Sequence, residues 1–151
     1  MEDWRRIDID AYDPDFTLRP EELQPAVPEV PTEVVEQKVQ QARTLVSQGK
    51  AIDALKFLLQ DPPYGADSVA KDIYLLQVIE TLSSVKQSDI SSTIGELDAD
   101  QQDVLVKYLY KGMGSGEGRK QSGILLNWFD KTIEVAGEGS IVRYLSDKRF
   151  V

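Results

Sequence analysis

Cysteine and histidine are both absent from this 151-residue chain. Without cysteine there is no disulfide scaffold, no thiolate metal site and no thiol nucleophile. Without histidine the commonest general base and the commonest zinc ligand are missing. Ser-His-Asp and Cys-His chemistry are therefore excluded within the chain. Net positive charge is lacking as well. The formal charge is −9, whereas nucleic-acid binding needs Lys and Arg to neutralise phosphates. No apolar run approaches the roughly 18 residues of a membrane span. The first residues are acidic, not the basic-then-apolar pattern of a secretory leader. The expected compartment is the cytoplasm, with no membrane insertion and no nucleic-acid partner.

What is present is distributed unevenly. Residues 1–31 carry nine acidic and three basic side chains and five of the seven prolines, Pro14, Pro20, Pro25, Pro28 and Pro31. Proline at this density prevents a helix interior and favours extended backbone. The segment has too little apolar content to fold alone. On composition it reads as a solvated acidic tail. Yet Trp4, Ile7, Ile9, Tyr12 and Phe16 are spaced through its first half. Ile7-Asp-Ile-Asp alternates with period two, as an extended segment laying side chains into a partner's pockets would. The expected organisation is an arm, 1–31, followed by one folded domain, 32–151.

From Thr32 the texture changes to helical periodicity. Thr32 is the expected N-cap of a first helix with Val35, Val39, Ala42 and Val46 on one face, ended by Gly49. A second, with Ile52, Leu55, Leu58 and Leu59, ends before Pro62-Pro63. Asp67 or Ser68 caps a long third helix to about Val85. Its stripe, Val69, Ile73, Leu76 and Ile79 with Leu75, Val78 and Leu82 beside it, is wide enough to predict a central helix contacted on two sides. Ser88 is the expected cap of a short helix bearing Ile90, Ile94 and Leu97. Asp98 caps the next, with Val104, Leu105, Tyr108 and Leu109, which stops at Gly112. Residues 112–118 read as a flexible connector. A helix over Gly123–Ala136 carries Leu125, Trp128, Phe129, Ile133 and Ala136. Ser140 is the expected cap of a last helix, with Ile141, Val142 and Leu145 inward. The fold class is all-α: about seven helices in a superhelical stack behind an extended arm. No repeat of fixed period supports a tetratricopeptide array.

Motifs that suggest chemistry have plainer explanations. The glycines at 112, 114, 116 and 118, before Arg119-Lys120, follow a helix, whereas a phosphate loop follows a strand. Asp98-Ala-Asp-Gln-Gln-Asp103 lacks the glycine and the glutamate of a calcium loop and reads as the acidic start of a helix. Asp8, Asp10, Asp13 and Asp15 keep the arm solvated or face a basic partner. Trp128-Phe129 reads as core. Ser140 has no accompanying base. Arg143 pairs either with a C-terminal carbonyl or with a partner's carboxylate. No carboxylate pair has the spacing of acid/base machinery. No catalytic residue, metal site or cofactor is expected. An enzyme here would have to use only Asp, Glu, Lys, Ser or Tyr.

Several stretches together carry a family resemblance. They are Val106-Lys-Tyr-Leu-Tyr-Lys-Gly112, Leu125-Leu-Asn-Trp128, Gly137-Glu-Gly-Ser-Ile-Val-Arg143, Gly49-Lys-Ala-Ile-Asp-Ala-Leu55, Asp61-Pro-Pro63 and Arg5-Arg-Ile-Asp-Ile-Asp-Ala-Tyr-Asp13. In order and spacing the chain resembles the small fifth subunit of the actin-related protein 2/3 complex. The resemblance implies a noncatalytic subunit supporting nucleation of branched actin filaments, located in the cytoplasm and in the actin patches or leading-edge networks of the cytoskeleton. It implies a helical body docked on the fourth subunit and the β-propeller first subunit, and an arm reaching the actin-related protein 2 subunit. Actin itself would be met only indirectly, and ATP would bind the two actin-related subunits. The arm residues it singles out are Trp4, Arg5, Arg6, Ile7, Ile9, Tyr12 and Phe16. The alternative is a free-standing helical adaptor that binds peptide segments in a groove.

Overall fold

The computed structural model describes residues 25–151. Among them there are seven α-helices and no strand: α1 Thr32–Ser47, α2 Ala51–Gln60, α3 Ser68–Ser84, α4 Ile90–Gly95, α5 Ala99–Gly114, α6 Ser122–Ala136 and α7 Gly139–Ser146. The all-helical fold and its helix count match the sequence reading. Helices α1, α2 and α3 pack on one another; α5 crosses α2 and α3 and carries α6 and α7; α4 lies against α6. The core runs through the middle of this stack, from Val35 and Val39 through Leu55, Leu58, Tyr74, Val78 and Leu82 to Leu105, Leu109, Leu125 and Trp128.

The stops work as their chemistry dictates. Gly49 and Gly137 take φ of +76° and +77°, the left-handed region in which a side chain is strained. Asp98 makes a capping box: its carboxylate accepts from Gln101 N at 2.8 Å, and Gln101 Oε1 accepts from Asp98 N at 3.1 Å. Asp67 caps α3, accepting from Ala70 N at 2.7 Å. The Ala70 N–H, with the Thr32 hydroxyl and the Val69 N–H, holds the exposed Asp67 carboxyl below its ordinary range. Trp128 is completely buried, and its indole donates to Leu82 O at 3.1 Å, tying α6 to the end of α3. Tyr74 and Tyr108 stack with centroids 5.9 Å apart. Burial pushes both phenols up, so both stay protonated, and Tyr74 donates to Leu58 O at 2.8 Å.

Several local expectations are corrected. Thr32 is the first helical residue, not the cap; its hydroxyl is drawn to Asp67 Oδ2, 2.9 Å away. Ser88 sits in a 3-10 turn, Gln87–Asp89, and its hydroxyl donates to Asp89 rather than to a helix N-terminus. Helix α3 is central and touches α1, α2, α5 and α6, but its buried face is shifted from the expected stripe. Val69 is 67% exposed and Leu76 faces solvent too, while Gln77 and Thr81 are buried. Gln77 Oε1 accepts from Arg43 Nε at 2.9 Å and Thr81 donates to Gln77 O at 2.8 Å, so both polar groups are satisfied where they lie.

The glycine connector is not a loose linker. Helix α5 continues through Gly112 to Gly114, and a 3-10 turn follows at Gly118–Gln121. Ser115 donates to Gly112 O at 2.8 Å and accepts from Gly118 N at 3.0 Å. Gly118 then lies on the α5 backbone: a Cβ there would meet Gly112 O at 2.0 Å. Gly118, and more mildly Gly112, serve close approach, while Gly114 and Gly116 lie in open space.

Candidate functional site

The side chains with most to offer a partner gather where α5, α7 and the chain after α7 meet. Of the α7 residues expected inward, Ile141 is half-buried but Val142 and Leu145 are not. Val142 is 65% exposed and Leu145 is 67% exposed. The helix is instead fastened by Ser140, which is buried inside its first turn and donates to Gly137 O at 2.8 Å. Ser140 is therefore not the N-cap; that position is Glu138, whose side chain makes no capping bond. Fastened in this way, α7 presents Val142 and Leu145 outward.

Arg143 resolves to a partner within the chain. Its guanidinium donates through Nε and Nη2 to the two oxygens of Asp103, at 2.6 and 2.8 Å, joining α7 to α5. The pairing raises the guanidinium's affinity for its proton and uses one acidic residue of the 98–103 cluster; Asp98 is used by its cap.

Beyond α7 the tail 147–151 is buckled across α5 by lysines. Lys107 lies almost fully buried in the middle of α5. Its ammonium donates to Asp147 Oδ2 at 2.5 Å and to Tyr64 OH at 3.0 Å, and sits 4.6 Å from the centre of the Tyr64 ring. Arg149 covers the same ring at 4.8 Å and also grips Asp147, with Nη2 to Oδ2 at 2.7 Å. The Arg149 guanidinium, aided by Lys107, holds the Asp147 carboxyl well below the usual carboxylate range. Lys111 Nζ donates to Val151 O at 2.5 Å and Lys71 Nζ to Phe150 O at 2.9 Å. Partial burial and the neighbouring Lys111 lower the Lys71 pKa. Val151 is thereby buried, while Phe150 is 63% exposed.

The result is a groove of about 530 Å³ between α5, α7 and the tail. Its floor is aromatic and aliphatic: Tyr110, Tyr144, Leu145 and Phe150. Tyr110 and Tyr144 stack with centroids 4.4 Å apart and planes 3° from parallel, and Phe129 meets Tyr110 edge-on at 5.3 Å. A second hollow, of about 440 Å³, lies on the other side of α7, lined by Phe129, Ile133, Ile141 and Val142 and flanked by Asp130 and Glu138. Such grooves take a partner's side chains by burying apolar surface, worth about 25 cal/mol per Å². Chemically both offer apolar surface for binding, with charged side chains at the edges.

The arm residues singled out in the sequence, Trp4, Arg5, Arg6, Ile7, Ile9, Tyr12 and Phe16, lie outside the described residues, as do Asp8, Asp10, Asp13 and Asp15. What is described of the expected arm is residues 25–31. Val30 N donates to Gly65 O at 3.3 Å, and Val27 and Val30 are half-buried. Gly65 permits this approach, since a Cβ there would lie 1.8 Å from Pro28 O. Lys107, Asp147, Arg149 and Phe150 were not foreseen as site residues. The available signal was the lysine inside the run Val104–Leu109, because a buried ammonium demands a carboxylate.

The family described as the ARP2/3 complex 16 kDa subunit (p16-Arc) matches residues 3–151. Actin-related protein 2/3 complex subunit 5 of Saccharomyces cerevisiae is 46% identical over 99% of this chain and 98% of its own length. Subunit 5-B of Xenopus laevis is 33% identical, over 98% of this chain and 94% of its own. The human subunit 5-like protein is 32% identical over the same shares.

Proposed function

The chain belongs to the family of the ARP2/3 complex 16 kDa subunit, and from that premise we propose that it is a noncatalytic subunit of the actin-related protein 2/3 complex that supports nucleation of branched actin filaments. The observation that carries the reading is the extent of the match, which runs from residue 3 to residue 151 and so takes in arm and body alike. The body, 32–151, docks on the scaffold subunits, the fourth subunit and the β-propeller first subunit. The arm, 1–31, reaches the actin-related protein 2 subunit through Trp4, Arg5, Arg6, Ile7, Ile9, Tyr12 and Phe16. The place of work is the actin cytoskeleton. Outward-facing Leu145 and Phe150 in one groove, with Val142 at a second hollow across α7, support a docking role for the body, because exposed apolar side chains lining surface hollows mark an interface. The anchorage of Val27 and Val30 beside Gly65 supports a tether, since a tether needs a fixed root. Two docking elements on one chain raise the local concentration of the second, so a weak arm contact still holds its partner close.

The test is reconstitution. Complex lacking this subunit is combined with the full chain or with a chain lacking residues 1–24, and filament nucleation and branch density are measured. The truncated chain is expected to enter the complex stoichiometrically and to nucleate more slowly than the full chain. Full nucleation by the truncated chain would overturn the tether. Failure of the full chain to enter the complex would overturn the subunit reading.

A further inference from the structure

We propose that in the isolated chain the acidic arm folds back onto the groove between α5, α7 and the 147–151 tail. The groove asks for an occupant of particular chemistry. Leu145 and Phe150 stand open to solvent in it, and Lys148 and Arg149 stand exposed at its edge. Lys107, Lys111, Lys148 and Arg149 line it against a single acidic residue, Asp147. Lys107, Lys111 and Arg149 are held by tail atoms, and Lys111 also faces Asp72 at 3.7 Å, so the charge left for an occupant is chiefly that of Lys148, which makes no ion pair among the described residues. The body as a whole is slightly acidic, so this rim is a local departure. An apolar floor with a basic rim suits a segment in which apolar anchors alternate with carboxylates.

The chain supplies such a segment beside the groove. Residues 1–24 carry eight acidic and three basic side chains, and Ile7, Ile9, Tyr12 and Phe16 each stand next to an aspartate. The arm's root, Pro25 to Val30, lies on a shelf completed by Pro62, Tyr64 and Arg149. Arg149 lines the groove too, so the root borders it. Twenty-four residues reach up to roughly 80 Å, ample for the return. The tether sets the arm's effective concentration on the order of millimolar, and closing a longer loop costs little more. The second hollow on α7 is the poorer host, because Asp130 and Glu138 flank it and repel an acidic segment. Fold-back concerns the free chain alone, so it stands or falls separately from assembly.

Paramagnetic relaxation in the full chain tests the proposal. The absence of native cysteine makes Ala11→Cys a unique attachment point for a nitroxide. The expected result is loss of amide signal at Leu145, Lys148 and Phe150. That loss is relieved by Lys148→Glu and by raising salt from about 0.1 to about 1 M, where the screening length falls from ~10 to ~3 Å. Unchanged amide shifts across α1–α3 show that Lys148→Glu remains folded. Absence of broadening on the body would overturn the proposal, as would broadening centred on Ile133 and Val142, or broadening that persists in Lys148→Glu. Broadening seen only when nitroxide-bearing and isotope-enriched chains are mixed would replace the arm by a second copy of the chain and overturn fold-back within one molecule.

Discussion

Removing the Asp147 carboxylate leaves the Lys107 ammonium buried without its principal counter-charge. Only 5% of the Lys107 side chain is exposed, against 23% for Asp147. After Asp147→Ala, Lys107 retains the Tyr64 hydroxyl at 3.0 Å and Arg149 O at 3.5 Å, neither of them charged. Deleting one partner of a buried pair costs about 3–5 kcal/mol. Partial exposure of Asp147 lets water screen the charge, so the lower end, about 3 kcal/mol, is expected. Lys107→Met alone removes the buried charge and leaves the carboxylate paired with Arg149, so it costs less. The double variant Lys107→Met/Asp147→Ala should recover a large part of the loss, since a hydrophobe replaces a buried charge at little cost. Urea denaturation of the four proteins measures the coupling, with unchanged slopes showing that the folded state is the same. The pH dependence has a fixed sign. Asp147 has its pKa lowered in the folded chain from an ordinary value of 3.8. Its contribution is therefore complete above about pH 4 and is lost progressively as pH falls below that toward the folded value. Asp147→Asn should flatten this part of the acid limb. Additive single-variant losses, or an acid limb unchanged in Asp147→Asn, would refute the buckle.

Three further substitutions probe the packing of α5, α6 and α7. Trp128→Ala should cost about 3–5 kcal/mol, from cavity formation at a fully buried indole, whereas Trp128→Phe, which keeps one aromatic ring but leaves a smaller cavity and Leu82 O without its indole donor, should cost less; thermal unfolding separates them. Gly118→Ala places a Cβ 2.0 Å from Gly112 O, backbone against backbone, and should destabilise by about 1–3 kcal/mol, while Gly116→Ala, in open space, should be near neutral. Ser140→Ala should cost about 1 kcal/mol by removing the donor to Gly137 O, with a loosened α7 visible as faster amide exchange over Gly139–Ser146.

Much of this architecture was legible because a few residues have only one stable conformational use. Gly49 and Gly137 end helices by taking positive φ, Pro62-Pro63 stops α2, and Asp98 with Gln101 closes a capping box. The core positions Leu55, Leu58, Leu105, Leu125 and Trp128 followed from helical spacing. The face of α3 did not, because that helix is enclosed by four others. Gln77 and Thr81 are buried through their hydrogen bonds, which hydrophobic periodicity does not register. The outward turn of Val142 and Leu145 escaped for a related reason. Periodicity marks an apolar face but does not say whether the chain's own core or another molecule covers it. The tail buckle depends on contacts 40 residues or more apart, such as Lys107 to Asp147. Only the lone lysine within Val104–Leu109 hinted at it.

The central claim is that this chain works as one subunit of a larger actin-nucleating assembly. The most direct measurement is gentle affinity purification of the tagged full chain from its own cells, followed by intact-complex mass spectrometry. The account predicts stoichiometric recovery with two actin-like chains and a β-propeller subunit. Recovery as a monodisperse monomer, or with peptide-bearing partners unrelated to actin, would contradict it and leave a free-standing helical adaptor in its place.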